Sequence, residues 1–145
     1  MHLARERKQE RKSLKSKDKN MMTRDQFVRC YLTAVLFLEH CINDDGEYLD
    51  DVYTIDDFSP EAFERATADC EAFLQAAEKA DIPLLYADCA EQAAYDFYLT
   101  SRGHGTGFWD RPEVYGKQEA EILTKIAESF RCPEYYDENG KIYCL

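Results

Sequence analysis

Residues 101–111, SRGHGTGFWDR, bring a histidine, two arginines, an aspartate and the chain's single tryptophan between three glycines. These residue types can do acid-base work at neutral pH: His104 as a general base, Asp110 to orient it, and Arg102 or Arg111 to hold an anion. No nucleophile or second acid is marked out beside them, since Ser101 and Thr106 are merely neighbours in the chain. Gly103-His104-Gly105-Thr106-Gly107 also has a glycine at every second position, but it follows a helical pattern. Dinucleotide and phosphate loops follow a strand, and the latter end in Lys-Ser/Thr, so neither fits. A structural reading accounts for more of the residues. The glycines allow a tight excursion, Phe108 and Trp109 anchor it in the core, and Asp110 caps the helix after Pro112 or pairs with Arg111. Arg102, Gly103, His104, Gly105, Gly107, Trp109, Asp110 and Arg111 therefore form a candidate ligand or partner loop, expected to act as a clamp first. No residue is assigned a catalytic role.

The second chemical feature is NDDGEYLDDVYTIDD, residues 43–57, with seven carboxylates and no base. A calcium loop with Gly46 at its sixth position would start at Cys41 and end at Val52, neither of which supplies an oxygen side chain. DENG at 137–140 fails the same test. Six cysteines at 30, 41, 70, 89, 132 and 144 contain no C-x-x-C pair, and with His2, His40 and His104 they do not make a zinc pattern. Neither a metal nor another cofactor is expected, and the thiols are expected to be reduced and mostly buried. What the acids can do is attract. Asp44, Asp45, Glu47, Asp50, Asp51, Asp56 and Asp57 form a candidate interaction surface for a protein, and carboxylates so spaced can imitate a phosphate backbone. The same charge disfavours direct nucleic-acid binding by the body of the protein.

Positioning these residues requires a core, and 145 residues, 45% hydrophobic, suffice for one domain. A helix is expected from Thr23 to about Ile42, with Phe27, Val28, Tyr31, Ala34, Val35 and Leu38 inward and Leu32, Leu36 and Phe37 widening that face. Its most apolar run, CYLTAVLFL at 30–38, is far shorter than the roughly twenty residues of a membrane span. Ser59-Pro60-Glu61 signals a second helix, carried to about Ala80 by Phe63, Ala66, Cys70, Phe73, Leu74 and Ala77. IPLLYA, 82–87, reads as a short buried strand. Asp88 and Glu91 have capping-box spacing before a third helix, and a fourth runs from about Glu113 or Lys117 to Phe130. Asn139-Gly140, between two aromatic and aliphatic runs, signals a tight hairpin. The predicted class is α+β, mostly α: about four helices forming one core with a small C-terminal β-hairpin.

Residues 1–20 stand apart, with eight Lys/Arg against three acids, whereas residues 21–145 have ten against twenty-six. With Leu3, Ala4 and Leu14 as its aliphatic residues after Met1, the first segment cannot offset the entropy of ordering, and it is predicted to be a disordered or frayed helical arm. It fits neither a secretory signal nor a mitochondrial presequence. The single acidic domain is expected over 21–145.

The runs YDFYLTSRGHGTGFWDR, YTIDDFSPEAFERATADCEAF and YYDENGKIYCL resemble a family of small uncharacterised proteins encoded by bacteriophages and prophages, whose members typically carry an HDFWLTRNGHGAGFWDR-like segment. The likeness covers roughly residues 23–145. Tyr95 stands where the family tends to have His and Tyr98 where it tends to have Trp, which weakens a two-histidine catalytic scheme. The resemblance implies a bacterial cytoplasm and a role in binding a host or phage protein, as a non-catalytic modulator of host defence or nucleic-acid machinery. The rival expectation is a small-ligand-binding or enzymatic module centred on the loop 102–111.

Overall fold

Thr23 opens the first helix by a reciprocal cap: its hydroxyl accepts from the Gln26 amide at 3.0 Å, and the Gln26 side chain accepts from the Thr23 amide at 2.9 Å. The computed structural model describes residues 21–42 and 46–145, so the basic arm expected over 1–20, and Asp44 and Asp45 of the acidic stretch, lie outside the described residues. Helix α1 spans Arg24–Leu38 and buries Phe27, Val28, Tyr31, Leu32, Ala34, Val35 and Leu36. It stops short of Ile42 because Glu39 turns extended and His40 forms an antiparallel bridge with Tyr48. Phe37, expected to face inward, is exposed.

A single turn, α2 (Leu49–Val52), and a 3-10 turn at Ile55–Asp57 lead to the long helix α3, Pro60–Lys79. Ser59 caps it as its sequence requires, its hydroxyl accepting from the Ala62 amide at 3.1 Å, with Pro60 in the first turn where a missing N–H costs nothing. IPLLYA makes a 3-10 turn at Leu84–Tyr86 and not a strand. Pro83 brings no donor to a ladder, and the local bonds Tyr86 N–H to Pro83 and Ala87 N–H to Leu84 close the turn instead.

Helix α4 (Ala90–Arg102) takes Cys89, one residue after the expected Asp88, as its N-cap, and the Cys89 side chain makes no capping bond. The fourth expected helix is divided: α5 (Pro112–Tyr115) and α6 (Lys117–Glu128) meet at Gly116, whose φ of 97° a side chain would strain. Strands β1 (Tyr135–Glu138) and β2 (Lys141–Cys144) pair antiparallel with Glu138 opposite Lys141. Asn139 and Gly140, at φ 52° and 82°, make the two-residue turn that this dipeptide favours. The architecture is thus mostly helical, with six helices among the described residues and one C-terminal hairpin.

Helix α1 packs against both α3 and α4, and the hairpin is sewn to the bundle through Ile142, whose carbonyl accepts from the Ser59 amide at 2.8 Å. Aromatic rings fill the centre. Phe73 stacks on Phe97 with centroids 4.1 Å apart and on Phe108 at 5.6 Å, while Tyr31 contacts Phe97 and Tyr98 at 5.5 Å. None of the six cysteines is in a disulfide; Cys70 is buried, and the other five are half-buried where burial was expected for most. No helix among the described residues is long and apolar enough to cross a membrane.

Burial also sets the protein's alkaline limit. The hydrogen bond to the Asp137 carboxylate holds the Tyr53 phenol up at about 12, and burial, aided by a bond to Glu91, holds Tyr95 at about 12. Burial pushes the phenols of Tyr98, Tyr115 and Tyr135 higher still, and it raises the Tyr31 phenol and the Cys70 thiol well above their ordinary values. A phenol whose pKa is raised by folding favours the protonated native state, so its contribution is intact below its unfolded value of about 10 and is lost as pH rises through the folded value. Denaturant midpoints should hold up to about pH 9 and fall steeply above about pH 10, phenolate absorbance appearing with unfolding. Phenols that ionise at their unfolded values while the fold persists would contradict this account.

Candidate functional site

The loop after α4 is built from its two ends. Gly103, left-handed at φ 83°, ends the helix, and its amide and that of His104 bond back to the Thr100 and Leu99 carbonyls at 3.2 and 3.0 Å. Arg102, on the helix's last turn, reaches Glu39 just beyond the end of α1. Its Nε lies 3.4 Å from Oε2 and its Nη2 3.4 Å from Oε1, and the Tyr98 hydroxyl donates to the same carboxylate. His104 turns to this group as well, its Nε2 buried without a hydrogen-bond partner 3.9 Å from Glu39 Oε2. The His104–Asp110 pairing that an acid-base scheme would need is not formed. Asp110 accepts from the Thr106 hydroxyl at 3.0 Å, which ties the loop to itself; it neither caps the next helix nor pairs with Arg111.

Arg111 goes inward instead. Its Nε donates to Oδ1 of Asp96 at 3.0 Å, and this fully buried carboxylate also accepts from the Tyr115 hydroxyl at 2.7 Å and from Gln92 at 3.2 Å. The Asp96 hydrogen bond raises the Arg111 guanidinium further, and burial followed by the same carboxylate raises the Tyr115 phenol. A buried charge costs several kcal/mol unless its oxygens are satisfied, so α4, the loop and α5 are obliged to converge on this point.

Between the two ends, Gly107 lies against α4. A Cβ there would sit 2.2 Å from Thr100 Oγ1, the atom that accepts from the Phe108 amide at 3.2 Å. The glycine is needed for close approach. Phe108 is fully buried against Phe73 and Tyr115, as a clamp requires. Trp109 does not anchor: in the 3-10 turn Phe108–Asp110 it faces the other way and is 51% exposed. Gly105 has open space where a side chain would go. Glu39, Asp96, Tyr98 and Tyr115 were not among the expected site residues. The signal available for Asp96 was an acid between Ala93, Ala94 and Phe97 on a buried helical face, one turn after Gln92.

Of the acidic stretch, two described carboxylates are used at the starts of turns. Asp51 accepts from the Tyr48 amide at 3.1 Å, and Asp57 accepts from the Thr54 amide at 2.8 Å. Asp50 and Asp56 point to solvent, and the Glu47 carbonyl accepts from the Cys41 amide at 2.8 Å. Tyr48 lies against the tilted His40 ring with centroids 4.3 Å apart and is partly exposed, whereas Tyr53 is tied to Asp137 at 2.7 Å.

Comparison with protein-family models, curated proteins and solved structures found no match for the chain.

Two substitutions test the clamp. Asp96→Ala strands Arg111 and Tyr115 and should cost about 3 kcal/mol, lowering the melting temperature by about 8 °C. Gly107→Ala should cost about 2 kcal/mol through its collision with Thr100, and adding Thr100→Ala should recover part of that loss, so that the double variant is less destabilised than the sum of the singles. Strict additivity in thermal melts would show that the two side chains do not meet.

Proposed function

We propose that this protein is a non-catalytic binding protein that docks on a partner protein through the loop 102–111, with Trp109 as its anchor. The observation that carries this reading is the rigid presentation of an exposed tryptophan. On one side its neighbour Phe108 is locked in the core, on the other Arg111 is held by buried Asp96, and Asp110 is tied to Thr106. A large aromatic held in a fixed position loses little entropy on association, which is why tryptophan is enriched among the residues that dominate interface energies. The acid-base alternative is disfavoured by the same contacts. Arg102, Asp110 and Arg111 spend their polar groups on partners within the fold, and His104 faces Glu39.

The setting we propose, a bacterial cytoplasm and a host or phage protein as partner, rests on the phage-family resemblance and the acidity of the domain. Modulation of host defence or nucleic-acid machinery, with Glu47, Asp50, Asp51, Asp56 and Asp57 imitating phosphates, is part of the same reading.

The test is affinity capture from nuclease-treated bacterial lysate by the full chain and by Trp109→Ala, with melting curves for both. A partner held by the native chain should be weakened about 30-fold by the substitution, the loss expected of an interface anchor worth about 2 kcal/mol, with the melting temperature unchanged. Equal capture by the two chains would remove Trp109 from the interface. Since Trp109 is the chain's one tryptophan, a change in its fluorescence with a nucleotide or metabolite panel would favour the small-ligand reading.

A further inference from the structure

The first end of the loop 102–111 holds an unsatisfied atom. His104 Nε2 is buried without a hydrogen-bond partner, and a carboxylate oxygen, Glu39 Oε2, stands 3.9 Å away. A neutral imidazole carries one proton and one lone pair. With the lone pair on Nε2, two acceptors face each other; with the proton there, the donor stops about 1 Å short of a bond, so the buried atom is costly in either tautomer. An imidazolium donates from both nitrogens, and one bond to Glu39 then satisfies the ring and the carboxylate together. Glu39 has room for it. Arg102 approaches its two oxygens at 3.4 Å each, outside the roughly 2.7–2.9 Å of a close charge-assisted bond, and the Tyr98 hydroxyl takes one further acceptor position.

We propose that His104 is a proton-operated latch: protonation draws its Nε2 onto Glu39 and fastens the start of the loop to the end of α1, and deprotonation releases it. Histidine is the side chain whose charge ordinarily changes between about pH 5 and 8. Around it, the Glu39 carboxylate from the end of α1 attracts the proton and the Arg102 guanidinium from α4 opposes it. Arg102 is the more exposed of the two, 31% against 13%, so its opposition is the more screened by solvent. The Tyr98 phenol from α4, and the Cys132 thiol beyond α6 that neighbours Glu39 and Arg102, are both raised by burial and stay neutral over this interval. The movement required is small. His104 lies between two glycines, and Gly105 has open space where a side chain would go, so the ring can close by about 1 Å while the His104 amide keeps its bond to the Leu99 carbonyl. The loop's other end, Arg111 on buried Asp96, contains no histidine, so weak acid fastens one end alone. If Trp109 docks on a partner, as proposed above, the latch regulates that docking; the latch itself does not depend on it.

Amide hydrogen exchange of the full chain, with no partner present, tests the latch separately from the capture experiment on Trp109. The reporters are the Gly103 and His104 amides, which bond to the Thr100 and Leu99 carbonyls at the start of the loop. Corrected for the intrinsic exchange rate, their protection should be several-fold greater at about pH 5.5 than at about pH 8 in the native chain. It should not change with pH in His104→Gln, a substitution at a half-buried position outside the core, nor in Glu39→Gln, which keeps a side-chain oxygen for Tyr98 and Arg102. His2 and His40 are present in all three chains, so their contributions cancel. The native chain and His104→Gln decide the matter between them: protection that is equal at the two pH values, greater at the higher one, or as pH-dependent in His104→Gln as in the native chain overturns the proposal. A pH response retained in Glu39→Gln removes the carboxylate from the latch and overturns it as well.

Discussion

The buried carboxylate of Asp96 is the constraint around which the chain from α4 to α6 is organised. An ionised oxygen pair in the middle of an apolar helix face would be prohibitively costly alone, and it is tolerated because three donors from three segments surround it. Gln92 comes from the same helix, Arg111 from the end of the glycine loop and Tyr115 from α5. The path of the chain between α4 and α6 is therefore dictated by the need to satisfy one side chain. The directionality of hydrogen bonds makes that path specific in a way that apolar contact alone does not.

Glu39 repeats the device at the opposite end of the loop. It stands just past the point where α1 breaks off, and it gathers Tyr98, Arg102 and the ring of His104. With both ends fixed by carboxylates and the middle pressed against Thr100 through Gly107, the excursion has little freedom left. Rigidity of this kind costs polar groups that a catalyst would keep available, and it delivers a tryptophan to solvent in one place. This division of labour, polar groups inward and aromatic outward, is what the proposed binding role rests on.

Acidity is likewise divided by role. Asp51 and Asp57 start local turns, Asp137 joins the hairpin to Tyr53 and the Ile42 amide, and Asp96 and Glu39 hold the loop. Exposed acids such as Asp50 and Asp56 add to the surplus of carboxylates that gives the domain its negative field.

Local chemistry is what the sequence determined by itself. The Thr23 and Ser59 caps, the apolar spacing of α1 and α3, and the Asn139-Gly140 turn each depend on residues within a few positions of one another, so the elements and the mostly helical class with its terminal hairpin were legible in one dimension. The glycine loop could be read as a clamp because its glycines and Phe108 have few other uses. Its partners could not be read. Glu39 is 65 residues from His104 and Asp96 is 15 from Arg111, and periodicity says nothing about which charge will answer a buried one. Whether Phe108 or Trp109 turned inward depended on a single 3-10 turn, where adjacent residues face different ways. The early end of α1 and the turn in place of a strand at 84–86 were likewise decided by what lay nearby in space: Tyr48 for His40 in the first case, and the absence of a ladder for Pro83 in the second. Tertiary structure chose among conformations that local propensity left nearly equal in energy, because the burial of a charge or a ring outweighs the preferences of any single residue.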